Sequence, residues 1–318
     1  MEPVPRRVGF LLLPQFSMLS FTTAVEPMRA ANRLSGRTLY AWRLYAPKAE
    51  PVSASNGLTL LPDAPLDNDR WADLLFVCGG LDVHRHCDSD TLRWLTRQAG
   101  RGIPVGGIAA GPYVLAQAGL LRGYRCTIHW ENLPGFAEHF PAIDVTENVF
   151  EIDRGRYTCS GGTAALDMLC YLIAEEHGRE LAAAVSAQFI HDRLRTPGDQ
   201  QRQAFELELM RKSPKLASAI RVMASNVEHP LTAGEIAARV GVSVRHLERL
   251  FRKHEQHTPQ RYYLGLRLQH ARRLLWQTGL PVMSVALAAG FRSQSHFTKC
   301  YREQFDITPQ RERLASLE

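Results

Sequence analysis

Apolar positions in the first two thirds of the chain alternate between continuous runs of strand length and the spacing of helices. Alternation of this kind is typical of an α/β fold, in which a parallel sheet carries helices on both faces. The predicted strands are 8–13, 40–45, 58–60, 72–78, 104–108 and 150–158. The predicted helices are 23–34, 91–100, 112–119 and 163–177.

The last hundred residues show a different pattern, in which one amphipathic motif occurs twice. Gly241 matches Gly290, 49 residues later, and Ser243 matches Ser293, 50 residues later. In each copy a short apolar helix can end at the glycine, and the serine can cap a second helix. One copy alone would leave an ordinary helical bundle open as the alternative. Two copies in register predict a pair of helix-turn-helix motifs in an all-α domain.

The second helix of each copy has an inward and an outward face. In the first copy Leu247, Leu250 and Phe251 lie at helical spacing and face inward, which leaves arginines on the outside. Such a helix fits the major groove of DNA and offers hydrogen bonds to base edges. Residues 261–275, between the copies, predict one rigid helix that would hold the two motifs near one turn of DNA apart, about 34 Å.

This region, about residues 212–318, resembles the DNA-binding domain of the AraC/XylS family of transcription regulators. The resemblance rests on the Ser-x-Arg-x-Leu-x-Arg-x-Phe pattern that starts at Ser243, the Ala-Ala-Gly-Phe turn that ends at Phe291, and the Thr-Pro-Gln after each copy. It implies binding to double-stranded operator DNA and activation through RNA polymerase. The implied DNA contacts are Arg245, Glu248, Arg249, Gln294, Ser295 and Lys299. Among them Glu248 requires a cytosine amino group or a neighbouring arginine.

Positive charge is concentrated in the same region. From Lys215 to the end there are 16 Lys and Arg against 8 Asp and Glu, while the remainder has 22 against 24. Basicity confined to one domain predicts contacts with nucleic-acid phosphates. A membrane surface is the alternative partner, but the sequence shows neither a basic amphipathic helix nor a lipidation signal. Non-specific DNA binding is a further alternative, against which the polar outward residues favour base readout.

The remaining composition excludes some classes of protein. No apolar run approaches a membrane span, and the run that ends at Pro14 lacks a cleavage pattern, so a cytoplasmic location without membrane contact is expected. The six cysteines show no paired spacing, which indicates reduced thiols. A metal site at His84, His86 and Cys87 is the alternative to a surface loop with incidental histidines. We expect no metal and no cofactor.

Glycines follow three of the predicted strands, at Gly79-Gly80, Gly111 and Gly161-Gly162. Ligands of parallel sheets bind at the carboxyl ends of the strands. Glycines at these ends let backbone N–H groups approach a ligand closely. The three glycine-containing turns are therefore expected to meet at one pocket.

Residues 7–190 look like the class I glutamine amidotransferase-like superfamily, in the branch of the PfpI-type proteases, which implies a flavodoxin-like fold. The resemblance rests on the glycine turns, on the Gly-Ile-Ala-Ala-Gly-Pro turn around Ala109, and on His129-Trp130. Enzymes of the superfamily carry a cysteine nucleophile where this chain has Ala109, and alanine cannot form a thioester. His129 occupies the place of the partner histidine, and Glu26 that of an acid beside the cysteine.

The resemblance implies sensing in a pocket that has lost catalysis. Regulators with this domain arrangement commonly respond to small nitrogenous metabolites, such as arginine and other amino acids, glycine betaine, carnitine and related amines. Phe16 and Trp130 would suit a quaternary ammonium by cation–π attraction, or else they are core residues. The candidate effector-binding residues are Phe16, Glu26, Gly79, Gly80, Ala109, Tyr113, His129, Trp130 and Thr163.

A PfpI-like hydrolase fused to a DNA-binding domain is the alternative function. It would need another nucleophile, and the candidates are Cys126, near His129, and Cys78, before the first glycine pair. Neither cysteine lies at an elbow before a helix, where backbone amides and the helix dipole lower a thiol pKa. We therefore predict that the chain is not an enzyme.

The domain organisation follows from these two resemblances. We expect a sensor and dimerisation domain at 7–195, a linker at 196–213 and a DNA-binding domain at 214–318, in a homodimer. A Pro-Gly pair at the start of the linker marks the break, and a short helix is predicted over 205–210.

Overall fold

The structure is a computed structural model that describes residues 4–66, 70–201 and 213–315. It forms two compact units, one made by the described residues up to Gln201 and the other by those from Ser213 onward. No helix within these ranges is both long and apolar enough to cross a membrane.

The first unit contains a seven-stranded sheet with helices on its two faces and two small two-stranded sheets. The strands are β1 Arg6–Leu12, β2 Tyr40–Ala46, β3 Val52–Ser53, β4 Thr59–Leu60, β5 Ala64–Pro65, β6 Leu74–Cys78, β7 Val105–Ile108, β8 Arg125–Thr127, β9 Asp144–Thr146, β10 Phe150–Asp153 and β11 Arg156–Cys159. The helices are α1 Met18–Ser35, α2 Ser89–Gly100, α3 Gly111–Gln117, α4 Leu133–His139, α5 Ala164–His177 and α6 Arg179–Gln188.

The large sheet has the strand order β10-β11-β7-β6-β1-β2-β5. Every pairing in it is parallel except that of β10 with β11. Cys78 pairs with both Leu12 and Ile108, and Ile108 pairs with Cys159, so four strands end side by side. The predicted α/β fold, a parallel sheet with helices on both faces, is confirmed. The one antiparallel edge strand adds to that prediction.

Separate hydrophobic cores lie on the two faces of the sheet. Buried residues of α1 and α5, such as Met28 and Leu169, pack on one face. Trp94 of α2 and Leu115 of α3 pack on the other. Because both faces are covered, the central strands are apolar along their whole length, which is why they were visible as continuous runs.

Two of the predicted strands differ from the structure. Segment 150–158 is a hairpin of β10 and β11 and not one strand. Arg154 and Gly155 both adopt left-handed backbone angles, with φ of 46° and 81°, and so reverse the chain between two apolar stretches. The strand predicted at 58–60 is only the two-residue β4, which pairs with β3.

The interval predicted as the linker starts inside the first unit. Residues 196–201 form hydrogen bonds with the loops around β8 and β10, so the unit extends past the expected boundary at 195. Residues 202–212, with the helix predicted over 205–210, lie outside the described residues. The domain limits otherwise stay predictions.

The second unit is entirely helical over the residues that the structure describes. Its helices are α7 Pro214–Ala224, α8 Ala233–Val240, α9 Val244–His254, α10 Pro259–Gln277, α11 Val282–Ala288, α12 Gln294–Phe305 and α13 Pro309–Ala315. The pairs α8–α9 and α11–α12 are the two predicted helix-turn-helix motifs. Each motif has its own core, and α10 contributes to both, with Tyr263 in the first and Leu268 and Leu275 in the second.

Candidate DNA-binding surface and effector pocket

Local sequence determines where the helices of the first motif begin and end. Thr232 caps α8 in a reciprocal pair, because the Glu235 carboxylate accepts its backbone N–H at 2.7 Å while the Thr232 hydroxyl accepts that of Glu235. Gly241 ends α8 at a φ of 66°, which glycine adopts without steric cost. Ser243 then caps α9 by accepting the His246 N–H at 3.1 Å. The caps of the turn are short-range contacts, and one long-range bond joins them, from Lys215 Nζ to the carbonyl of Val240 at 2.7 Å.

The second motif repeats the glycine turn and the serine cap, whereas Pro281, before α11, gives no side-chain cap. Gly290 has a φ of 75°, and the Ser293 hydroxyl caps α12. A row of aromatic rings fills the space below the turn, with the centroid of Phe297 at 5.1 Å from Phe291 and 5.4 Å from Tyr301. These rings hold the recognition helix α12 against the rest of the motif.

The residues predicted to contact DNA lie on the solvent side of both recognition helices. In α9, Leu247 and Phe251 are fully buried, which turns the arginine-rich face outward. Exposed basic and amide side chains there can reach phosphates and base edges. The six predicted contact residues, all exposed, are Arg245, Glu248, Arg249, Gln294, Ser295 and Lys299. Their contacts with DNA stay a prediction.

Two residues of α10, four positions apart, hold the two motifs. The Tyr263 hydroxyl donates to the carbonyl of Asn226 at 2.5 Å, just before the first motif. The Arg267 guanidinium donates to the carbonyls of Ala289 at 2.9 Å and Gly290 at 2.8 Å, at the turn of the second motif. Both side chains lie on one side of the helix. The two recognition helices therefore have a fixed relative orientation.

Gly290 brings the second motif directly against the segment before the first. A Cβ atom at this position would lie 2.5 Å from the carbonyl oxygen of Val227 and 2.6 Å from Cγ of Pro230. Only glycine permits both this approach and the left-handed turn. The sequence repeat located the glycine, but nothing local indicated which segment it contacts.

In the first unit, Ala109 lies at the strained elbow between β7 and α3. Its φ of 58° is left-handed, which costs a non-glycine residue about 1–2 kcal/mol. Its N–H donates to the carbonyl of Cys159 at 3.1 Å, and its carbonyl accepts the N–H of His129 at 3.2 Å. The backbone thus keeps the geometry that presents a nucleophile, but the side chain is a methyl group.

The three glycine turns come together around this elbow. A Cβ at Gly161 would lie 2.6 Å from that of Ala109, and a Cβ at Gly79 would lie 2.6 Å from the backbone nitrogen of Gly111. A Cβ at Gly80 would lie 1.8 Å from the carbonyl oxygen of Gln15. Backbone segments therefore pack too closely here for any side chain.

Ser20 of α1 is a site residue that sequence reasoning missed. Its hydroxyl accepts the N–H of Gly162 at 2.7 Å and donates to the Ser17 hydroxyl at 2.8 Å. Thr23, one turn later, donates to the carbonyl of Gly162 at 2.6 Å. The start of α1 is thereby joined to the turn beside Ala109. The signal was present as two serines at cap spacing, Ser17 and Ser20, before an apolar helix.

His129 and Trp130 lie at the open side of the elbow. The His129 side chain is 35% exposed, and the centroids of the two rings are 5.7 Å apart. Burial lowers the pKa of the His129 imidazole, against the opposing effect of Glu131 at 3.7 Å. Trp130 is 37% exposed, which leaves part of its indole accessible to a ligand.

The other candidate effector-binding residues already have partners. Phe16 is fully buried and packs edge-on against Phe21 at 5.9 Å, so its ring belongs to the core and not to an open pocket. Tyr113 is buried on the opposite face of the sheet, where burial raises its pKa to about 12. The Glu26 carboxylate pairs with Arg29 at 2.6 Å. The Thr163 hydroxyl accepts a hydrogen bond from the Arg195 guanidinium at 2.6 Å.

Two family models match the chain. One of the DJ-1/PfpI family covers residues 6–175, and one of a helix-turn-helix domain covers residues 236–314. The HTH-type transcriptional regulator GbdR of Pseudomonas aeruginosa is 46% identical over 309 residues, which are 97% of this chain and 84% of GbdR. The crystal structure of an AraC family transcriptional regulator from Pseudomonas putida matches 58% of this chain with all of its own, at 31% identity and a TM-score of 0.54. The chain belongs to the AraC/XylS family of transcription regulators with a DJ-1/PfpI domain.

An enzyme also resembles the first unit of this AraC-type regulator. The isonitrile hydratase of Pseudomonas putida is 31% identical over 186 residues, which are 57% of this chain and 77% of the hydratase. The likeness confirms that one fold serves both regulators and enzymes, so the function of the unit depends on its site and not on its fold.

Burial disfavours the reactive form of three other thiols in this AraC-type regulator. Burial raises the pKa of Cys126 to about 12 and that of Cys78 well above its usual value. Burial also raises the pKa of Cys87 to about 12. The thiolate, which is the reactive form, is therefore scarce at neutral pH at all three positions.

The alternative metal site at His84, His86 and Cys87 lies around a short helical turn. His84 and His86 both lie on the 3-10 turn Val83–His86. On a turn with three residues per turn, positions two apart project about 120° from each other around the axis. The described residues contain no group of three or more His, Cys, Asp or Glu side chains that could hold a metal ion.

A pH dependence is expected from His270 of α10. Burial lowers the pKa of this imidazole to about 4, and Arg273 acts in the same direction. The pKa of a histidine in the unfolded chain is about 6.5. When the pKa is lower in the folded state, protonation of the histidine destabilises the fold. The second unit should therefore be most stable above pH 6.5 and lose about 2 kcal/mol as the pH falls toward 4, allowing for solvent screening.

Denaturant unfolding of the full chain at several pH values tests this expectation. His270→Gln should flatten the dependence between pH 6.5 and 4. The exposed His257→Gln serves as the matched control and should leave the dependence in place. An unchanged slope in His270→Gln would show that other groups cause the acid sensitivity.

Proposed function

We propose that this AraC-type regulator activates transcription from a specific operator in response to a small nitrogenous metabolite bound beside Ala109. The observation that carries the proposal is the elbow, which keeps a left-handed backbone and close glycine turns but presents a methyl group where a nucleophile would be. From the family resemblance we further propose a homodimer through the first unit and a contact with RNA polymerase.

The proposed effector class is an amino acid such as arginine, or a betaine- or carnitine-like amine. The accessible indole of Trp130 supports it, because an aromatic face attracts a cationic or quaternary nitrogen. Glu26 supplies a carboxylate on α1, whose first turns are joined to the Gly162 turn. An ammonium or guanidinium group would compete with Arg29 for this carboxylate.

A thermal-shift screen of the full chain tests the effector class. Arginine, other amino acids, glycine betaine, carnitine, choline and polyamines are the compounds to add. A compound that binds the native state raises the midpoint in proportion to its affinity and concentration. Trp130→Ala should abolish the shift, whereas Tyr171→Ala, which removes an equally exposed aromatic residue elsewhere, should retain it. If none of these compounds shifts the native chain, the effector class is wrong.

Base readout by the recognition helices gives a second prediction. Arg245→Ala or Gln294→Ala should weaken binding to the selected operator by about 1–3 kcal/mol and relax the preference at one or two base pairs. Competition binding against a set of single-base operator variants measures this change. Arg93→Ala removes an exposed arginine of the first unit and should have no effect. Equal losses on every DNA sequence would favour non-specific phosphate binding instead.

A hydrolase or hydratase fused to a DNA-binding domain is the second candidate function. The likeness to isonitrile hydratase and the retained elbow favour it, while the methyl group of Ala109 and the raised thiol pKa values disfavour it. Assays of the purified chain on peptides and isonitriles, with Ala109→Cys in parallel, separate the two functions. Turnover by the native chain that is lost in His129→Ala would overturn the sensor proposal.

A further inference from the structure

The last segment of the first unit has no helix or strand, yet it is hydrogen-bonded along its length. We call residues 191–201 the strap. It follows α6 and leads, through the covalent chain, toward the second unit. One end contacts the first turn of α5 and Thr163, next to the Gly161-Gly162 turn, and the other end contacts residues 127 and 128, just before His129.

The first anchor of the strap is Asp167, in the first turn of α5. This carboxylate is 1% exposed and accepts the backbone N–H and the Nε–H of Arg195, both at 2.8 Å. His191 Nε2 lies 3.0 Å from the same carboxylate. A buried carboxylate requires such partners. Asp167 therefore holds the strap at two points.

Arg195 extends this anchor to the elbow. Its guanidinium also donates to the Thr163 hydroxyl at 2.6 Å, and Thr163 directly follows Gly161-Gly162. A Cβ at Gly161 would lie 2.6 Å from the Cβ of Ala109. Arg195 is therefore linked, through Thr163, to the glycine turn that packs against Ala109.

The second anchor is Gln201, at the other end of the strap. Its side-chain amide lies 2.9 Å from the carbonyl of Ile128 and 3.1 Å from the Thr127 hydroxyl, donating to both. His129 follows Ile128 and donates its N–H to the carbonyl of Ala109 at 3.2 Å. Gln201 is thus linked to Ala109 through residues 128 and 129.

Between the anchors the strap is braced by Asp199, which is 7% exposed. The Asp199 carboxylate accepts the backbone N–H of Thr196 at 2.7 Å and pairs with Arg193 at 2.5 Å. The carbonyl of Asp199 accepts the N–H of Val149 at 2.8 Å. These bonds join residues 193, 196 and 199 of the strap to one another and to Val149.

We propose that the strap couples the pocket beside Ala109 to the second unit, with Asp167–Arg195 and Gln201 as its two points of control. This proposal rests on the proposed function, since it assigns the regulation of that same pocket. A ligand that displaces the Gly161-Gly162 turn, or the residues just before His129, also displaces the strap. Such a ligand binds the displaced and the undisplaced strap with different affinities. That difference is what shifts the equilibrium, and linkage makes it reciprocal with DNA binding.

Two variants at opposite ends of the strap test the proposal in the full chain. Asp167→Asn removes the charge at the first anchor, and Gln201→Ala removes the amide at the second. Asp73→Asn is the matched control, because Asp73 also accepts a backbone N–H and a guanidinium from one arginine, Arg7, but before β6 and away from the strap. Operator DNA selected with the native chain is the common ligand.

The first readout is amide hydrogen exchange, which needs no effector. Each strap variant should speed exchange at both His129 and Gly162 by about tenfold or more, although only one end has been altered. Asp73→Asn should leave both amides as in the native chain. Faster exchange confined to the altered end would overturn the proposal.

The second readout is operator affinity, with and without arginine, glycine betaine or carnitine. For a compound that raises the native thermal midpoint, the change in operator affinity, on the order of 5- to 150-fold for such couplings, should fall to within about twofold of unity in both strap variants. The same compound should still raise the thermal midpoint of both variants. A response that survives in both variants would overturn the proposal. Absence of any midpoint shift in the native chain would contradict the effector class alone, and hydrogen exchange would still decide on the strap.

Discussion

Replacing Gly80 by alanine is expected to lower the free energy of unfolding of the first unit by about 3 kcal/mol or more. The added Cβ would lie 1.8 Å from the carbonyl oxygen of Gln15 and 2.9 Å from Cα of Phe16. These are backbone atoms, and Gln15 also accepts the N–H of Leu81, so no side-chain rotation relieves the overlap. The two segments must separate, and the neighbouring contact of Gly79 with Gly111 is disturbed with them.

Denaturant unfolding of the full chain, followed in the first unit, measures this effect. Gly100→Ala is the matched control, because a Cβ there meets no atom within 4 Å and its backbone is not left-handed. Alanine near the end of α2 should be neutral or slightly stabilising. Unfolding of Gly80→Ala at the same denaturant concentration as the native chain would contradict the close contact between Gly80 and Gln15.

Removing the buried carboxylate of Glu312 is expected to cost the second unit about 3–5 kcal/mol. Glu312 is 5% exposed and accepts the Arg272 guanidinium at 2.7 Å and the Tyr301 hydroxyl at 3.0 Å. It also accepts the indole N–H of Trp276 at 3.2 Å. Glu312→Ala leaves three donors without this acceptor, and α13 loses its attachment to α10 and α12. DNA affinity should fall with the stability of the second motif.

Equilibrium unfolding and DNA titration of Glu312→Ala test this expectation together. Glu303→Ala removes an exposed carboxylate of α12 and should change stability by less than about 0.5 kcal/mol. The double variant Arg272→Met, Glu312→Leu should recover part of the loss, since apolar packing can replace a buried ion pair. A stability of Glu312→Ala equal to that of Glu303→Ala would show that the network contributes little.

The helix-turn-helix motifs were predictable because their determinants are local. Thr232, Gly241 and Ser243 cap or end helices through contacts with residues no more than four positions away. The sheet was predictable for a related reason, since burial on both faces leaves long apolar runs. The elbow at Ala109 was visible as a turn between such a run and a helix.

The parts that could not be predicted depend on contacts between distant residues. The anchor between Asp167 and Arg195 spans 28 positions, and that between Gln201 and Ile128 spans 73. A charged residue in the apolar stretch around Asp167 was a usable sign of a buried ion pair, but it did not name the partner. Phe16 was ambiguous for the same reason, because only the packing of Phe21 against it shows that it is core.

The attachment of both motifs to one side of α10, by Tyr263 and Arg267, has a consequence for the DNA. Each base pair added between the half-sites turns the second one by roughly 34° around the DNA axis. A second unit of fixed shape does not follow this rotation. The duplex itself must therefore twist or bend to return the major groove of the second half-site to its recognition helix. The energy of that deformation depends on the stiffness of the intervening base steps. The regulator should therefore distinguish operators by base pairs that none of its side chains touches.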